Sequence, residues 1–242
     1  MYEVIVLGAT FAAADIAHKY KEKCLVIERQ VRAGYEFFGA LHFGSDFSRA
    51  VSSEAAHRLQ ANFLGKHTGV YGCDSYIYPF FKECFTVFGA EVISTKKTDA
   101  GFLCVTHGVA GFCTYKAKRI IDTRCNAEMS KVKTYNLLIE SKCDPAFSGV
   151  SWEHAAGENR YILRCPVPLD CEYMEARSMA MNTVQSFSET QRLILSADEF
   201  DYQVKDGYPK TEGNIFYLPS KAYENPLLAF DAGVSVGEEA AK

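Results

Sequence analysis

The sequence predicts an α/β fold: a parallel sheet wound with helices, an antiparallel β-meander, and a small α+β insert. Three observations predict it. The apolar run YEVIVL (2–7) enters the turn GATFAAA (8–14) directly, and a second apolar run, CLVIE (24–28), follows one helix length later. Four short strand-like segments then crowd into residues 91–123. From about Ser130 the texture changes to strands with one wet face and a long helical stretch.

The elements follow in order. Residues 2–7 read as a buried parallel strand. Thr10 to Lys21 reads as a helix, because Ala12, Ala13, Ile16, Ala17 and Tyr20 form an apolar stripe at helical spacing. Lys19, Lys21 and Lys23 lie near its end, where cations suit the helix dipole. Cys24 to Glu28 is a second buried strand, and a right-handed crossover makes it parallel to the first. A helix is predicted from Ser52 to Leu64. Another is predicted from Tyr76 to Phe88, ended by Gly89.

EVIST (91–95), GFLCVTH (101–107), GFCTYKA (111–117) and RIIDT (119–123) are predicted strands. The middle two have hairpin spacing, with the turn at 108–111. The last is short and apolar, as a buried parallel strand should be. TYNLLIE (134–140) and RYILRCPV (160–167) read as strands on a sheet with one wet face. Asp170 to Phe187 reads as a helix with Asp170 as N-cap. Short strands are predicted at 193–195 and at 199–204, and IFYLPS (215–220) is an apolar run stopped by Pro219. The tail ENPLLAFDAGVSVGEEAAK (224–242) reads as a strand-like piece followed by a small-residue helix. The expected organisation is one domain formed by 1–129 and 216–242, with 130–215 as a small cap.

Composition narrows the function classes. The 242 residues are 48% hydrophobic and 13% aromatic, ample for a core, and the formal net charge is −4 with no basic stripe. A nucleic-acid partner is therefore not expected. No apolar run reaches the ~18–20 residues needed to span a bilayer, and the N-terminal run is too short for a secretory signal. The nine cysteines are scattered without a C-x-x-C pair. That predicts free thiols in a reducing cytoplasm, not a disulfide framework or a metal site.

The turn carries the functional signal. A strand, a Gly-rich turn and a helix hold a dinucleotide pyrophosphate when the pattern is G-x-G-x-x-G. Here Gly8 is kept, and Thr10 and Ala13 stand at the second and third positions. Ala13 is the smallest replacement, and the Thr10 hydroxyl can donate to a phosphate oxygen. Glu28 closes the second strand 20 residues after Gly8, where an acid binds ribose hydroxyls.

With these motifs, the loop RAGYEFFGAL, the 91–124 meander and PLLAFDAGVSVGEEAA, the chain resembles the FAD-dependent oxidoreductases with the glutathione-reductase-type, Rossmann-like FAD-binding fold. Within that group it is most similar to members whose turn reads G-x-T-P-x-G. The resemblance covers roughly the first 125 residues and the last 20. It implies FAD as cofactor. Gly8, Ala9, Thr10, Phe11 and Ala13 would cradle the pyrophosphate, Glu28 would bind the adenosine ribose, and Arg29 would lie beside adenine. Gly34 and Tyr35 would pass under the cofactor, and Val92 would contact adenine through its backbone. Asp122 and Thr123 would lie near the phosphates, and Asp231 would bind ribitol hydroxyls. Tyr35, Arg124 and Phe230 stand where the family has glycine.

If FAD binds, the flavin carries the hydride chemistry and the protein orients substrate. His42, in GALHFG, is then the candidate for proton transfer, and Arg177 the candidate clamp for an anionic substrate. Cys73 is the most loop-like thiol. The chain lacks a second strand-Gly-helix motif for a nicotinamide domain. The expected function is hydride transfer between flavin and a small organic substrate, with a second copy of the chain or a separate reductase as further partner. The alternative is a degenerate FAD-fold protein that binds flavin weakly or not at all, with a non-catalytic or nucleotide-binding role.

Overall fold

The structure is a computed structural model, and it describes residues 1–42, 44–65, 77–155 and 157–240. Cys73 and Tyr76 lie outside the described residues.

Strand β1 (Tyr2–Leu7) is buried and runs into helix α1 (Phe11–Tyr20). Strand β2 (Cys24–Glu28) returns parallel to it, with Val4 opposite Cys24 and Leu7 opposite Ile27. The predicted β-α-β unit is thus present. Short helix α2 (Tyr35–Phe38) and helix α3 (Glu54–Gly65) follow.

The helix expected over 76–88 does not form as such. Residues Tyr78–Phe81 make one 3-10 turn, and Phe85–Phe88 make strand β3, parallel to β2. Pro79 breaks the helical ladder, and Phe81 turns inward to the core. Strands β4 (Ala90–Thr98), β5 (Gly101–Gly108) and β6 (Gly111–Asp122) form the antiparallel meander. The two strands predicted at 111–117 and 119–123 are one. The first half of β6 pairs with β5, and its second half runs parallel to β1, with Ile120 opposite Ile5.

The second sheet holds β7 (Ser130–Ser141), β8 (Ser151–His154), β9 (Arg160–Val167), β10 (Gln191–Ser196) and β11 (Asp201–Val204), with β7 central. Alternation along β7 decides what each face covers. Tyr135, Leu137 and Ile139 pack with Leu163 on helix α4 (Tyr173–Gln185), through Ala176 and Ala180. The other face sends Leu138, with Ile162 of β9, into the core of the first sheet. Asn136, on that same face, donates to the Ala40 carbonyl at 2.8 Å. Helix α4 starts later than predicted, with Glu172 instead of Asp170 at its N-cap.

The chain then rejoins the first sheet through β12 (Lys210–Glu212) and β13 (Ile215–Tyr217), the latter parallel to β6. The strand-like piece expected after 224 is helical: α5 spans Pro226–Ala240. Its Leu227, Phe230 and Val234 are buried at helical spacing. Helices α1 and α5 touch through small residues. A Cβ at Gly233 would lie 2.1 Å from the Ala12 carbonyl oxygen, so this crossing needs glycine.

Candidate functional site

The parallel strands β1, β2, β6 and β13 end on one edge of the sheet, which is where open α/β sheets bind ligands. Gly8 leaves β1 with φ +96, a conformation that side chains rarely adopt. Thr10 is the N-cap of α1: its hydroxyl oxygen accepts from the Ala13 N–H at 3.2 Å. The same hydroxyl donates to Thr123 Oγ1 at 2.8 Å, and Thr123 donates to the Leu7 carbonyl. Thr10 therefore ties the turn to the end of β6. It is 4% exposed, so its bulk points into protein. A Cβ on Gly8 would meet Arg124 Cγ at 2.9 Å and Thr123 Oγ1 at 3.0 Å, so that space is already filled.

Two carboxylates face the turn. Glu28 Oε2 accepts from the Ala9 N–H and Oε1 from the Gln30 N–H, both at 2.7 Å. Burial raises its carboxyl, and the two amide bonds partly offset this. Glu36, in α2, accepts from the Phe11 N–H at 2.9 Å and from the Ser220 hydroxyl at 2.7 Å. Burial pushes Glu36 up to about 7. The Gly34 N–H donates to the Ala9 carbonyl at 2.7 Å, fixing the loop that carries Glu36 beneath the turn.

These groups line a cleft of about 310 Å³, together with Arg29, Tyr35, Glu91, Arg124, Cys125 and Lys221. Its cations are already paired. Arg124 grips Asp122 through Nε at 2.9 Å and an NH2 at 2.8 Å. Arg29 binds Glu199, which also accepts from Gln30. Lys221 lies 2.7 Å from Asp201. The Tyr35 hydroxyl donates to Asp198 at 2.8 Å, closing the side toward the second sheet.

Behind the cleft, Asp201 also holds His42 Nδ1 at 2.8 Å. Burial and the nearby Lys221 lower the His42 pKa, against the pull of Asp201. Burial alone would raise Asp201, but Lys221 and His42 outweigh it and hold the carboxyl well below the usual range.

The structure thus gathers Gly8, Ala9, Thr10, Phe11, Ala13, Glu28, Arg29, Gly34, Tyr35, Asp122 and Thr123 around one turn and cleft. Val92, in β4, packs against the core cluster of Ile5, Leu25 and Phe102, and its neighbour Glu91 reaches the cleft. Asp231 lies elsewhere. It sits in the second turn of α5 and accepts from the Ser52 and Ser53 N–H groups, at 2.8 and 3.0 Å, ahead of α3. The turn that leaves the last parallel strand is Ser220–Ala222. Phe230 is buried against Phe80, ring to ring at 4.9 Å, and does not fill the cleft. Arg177 is exposed on α4, away from the cleft. Glu36, Lys221 and Asp201 were not singled out by the sequence. Glu36 could have been: a carboxylate two residues after Gly34, in a loop expected to run under a phosphate, invites attention.

No protein-family model and no curated protein matches the chain. Solved structures do. CabE, an aromatic hydroxylase from angucycline biosynthesis, matches with a TM-score of 0.59 and 8% identity over 99% of this chain and 62% of that one. Aklavinone-11 hydroxylase, in a ternary complex with FAD and aklavinone, matches at 0.51 and 12%, over 99% and 61%. Glycine oxidase from Geobacillus kaustophilus matches at 0.53 and 13%, over 99% and 94%. The fold is the Rossmann-like FAD-binding fold. The chain spans about three-fifths of the hydroxylases' length. Among the described residues, no helix is long and apolar enough to cross a membrane, and no cluster of three His, Cys, Asp or Glu could hold a metal ion.

Proposed function

We propose that the chain is an FAD-dependent oxidoreductase acting on a small organic substrate by hydride transfer, in a reducing cytoplasm. One observation carries the reading. The α1 N-terminus, aimed into a cleft at the strand ends, already holds an oxyanion, the Glu36 carboxylate, through the Phe11 N–H and the Ser220 hydroxyl. A site that ligates one oxyanion this way fits a phosphate oxygen of FAD once Glu36 moves aside. Bound flavin supplies the two-electron chemistry.

The chain's own residues divide the remaining work. Gly8, Ala9, Thr10, Phe11 and Ala13 form the phosphate turn, with Thr123 and Asp122 bracing it. Glu28 is the ribose acid, Arg29 flanks the base, and Gly34 and Tyr35 form the floor. His42, held by Asp201, carries a proton on Nδ1 and is kept neutral by its low pKa. Its role is to position Asp201 and Lys221 behind the cleft. Arg177 and Asp231 are not assigned to the site, because neither lines it. The hydroxylase and oxidase likenesses support a small-molecule substrate, and that substrate or a separate reductase supplies the electrons to the flavin, with a second copy of the chain as a further partner.

The paired cations favour a second reading, a fold relative that no longer loads flavin. The two separate on one experiment. Protein incubated with FAD at pH 6 and desalted retains stoichiometric, perturbed flavin absorbance on the first reading and is colourless on the second.

A further inference from the structure

The amino terminus of α1 is closed by the chain itself. Glu36 Oε1 takes the Phe11 N–H at 2.9 Å from one wall and the Ser220 hydroxyl at 2.7 Å from the other. Its second oxygen, Oε2, is buried without a hydrogen-bond partner among the described residues. Helix N-termini attract anions through free N–H groups and the positive end of the dipole. Here the attracted anion is internal. The neighbouring cations add no free charge, since Arg124, Arg29 and Lys221 are each bound to a carboxylate.

We propose that Glu36 is an internal occupant of the dinucleotide's phosphate position, and that a diphosphate ligand binds only when this carboxylate is neutralised or displaced. The proposal rests on the flavin reading above and deepens it: Glu36 sets when the site opens.

The orphaned Oε2 is central. Two donors serve one oxygen, while the other oxygen has lost water and gained nothing. That is a poor home for a charge and a good one for a proton. Burial accordingly pushes the group up to about 7. Protonated Glu36 holds the Phe11 N–H more weakly and no longer repels a diphosphate.

Other groups face it. Glu28 comes from β2, Arg124 and Cys125 follow β6, Lys221 follows β13, and Tyr35 precedes it in α2. Burial pushes the Cys125 thiol and the Tyr35 hydroxyl up to about 12, so both stay neutral near pH 7. Arg124 stays charged in the grip of Asp122, and Lys221 is paired with Asp201. Glu28 is also raised, so substitution at 36 is needed to separate the two acids. If only the protonated form admits ligand, apparent affinity scales with that fraction, and binding weakens about tenfold from pH 6 to pH 8.

The test is an FAD titration of the full chain at pH 6, 7 and 8, followed by flavin fluorescence, with ADP as a second probe. Wild-type Kd should rise about tenfold across the range. Glu36→Gln should bind at pH 8 as tightly as wild type does at pH 6, with a flat profile. Ser220→Ala, which frees one of the two bonds holding Glu36, should also tighten FAD binding at pH 8, and it serves if Glu36→Gln does not fold. An unchanged Kd and unchanged slope in these variants would overturn the proposal while leaving the flavin reading intact. Uptake by Glu36→Gln but not by wild type at any pH would uphold Glu36 as the occupant, overturn its neutralisation as the trigger, and refute flavin loading of the native chain. No uptake by any of them would overturn both.

Discussion

Lys221 Nζ lies 2.7 Å from Asp201 Oδ1, and the two side chains are only 2% and 7% exposed. This pair joins the turn after β13 to β11, so it bolts the second sheet onto the cleft. Lys221→Met leaves Asp201 buried without its cation. Removing one partner of a buried pair costs about 3–5 kcal/mol. Urea unfolding should show that loss, and the double variant Lys221→Met, Asp201→Leu should recover much of it. Asp201 is depressed in the folded state, so its contribution is present above the ordinary carboxylate range. It is lost as pH falls toward the folded value.

Glu36 works in the opposite direction. Its folded pKa of about 7 lies above the ordinary 4.5, so the folded chain binds its proton more tightly. Its contribution is full below 4.5 and disappears as pH rises through about 7. The difference in melting temperature between Glu36→Gln and wild type should therefore grow in favour of the variant across that window. A difference independent of pH contradicts the assignment.

Thr10→Ala removes both the α1 cap and the bond to Thr123. Loss of such a cap costs about 1 kcal/mol, which lowers the melting temperature of a chain this size by about 2–4 °C. Thr10→Ser, which keeps the hydroxyl, should lie close to wild type in a thermal scan.

Phe230→Gly separates the sequence's view of the C-terminal helix from the structure's. As a plug in the flavin groove, Phe230 would improve FAD uptake on removal. As a core residue against Phe80, it should cost about 3–5 kcal/mol or more in chemical unfolding and leave the uptake per folded molecule unchanged.

The parts of the fold that were legible carry their information locally. β1, α1 and β2 show a buried run, a 3.6-residue stripe and a second buried run within 28 residues. The meander announces itself by its turns. The 76–88 segment misleads because its aromatic residues mimic a helical stripe, although Pro79 sits among them. The C-terminal misreading has a similar cause. Ala229–Asp231 looks like a turn motif in isolation, yet Leu227, Phe230 and Val234 recur at helical spacing and mark a helix interior. Glu28 was legible because its place at the end of β2 is fixed by register. Glu36, Lys221 and Asp201 were not, because each reads alone as an ordinary surface charge. Their meaning comes from partners brought together by the tertiary fold: Phe11 is 25 residues from Glu36, and Ser220 is 184 away.

Flavin uptake by the unmodified chain at pH 6 tests the central claim most directly. Protein equilibrated with excess FAD and passed through a desalting column should emerge yellow, with about one flavin per chain released on denaturation, and should melt at a higher temperature, as a ligand bound to the folded state requires. Colourless protein with an unchanged melting temperature would contradict the account.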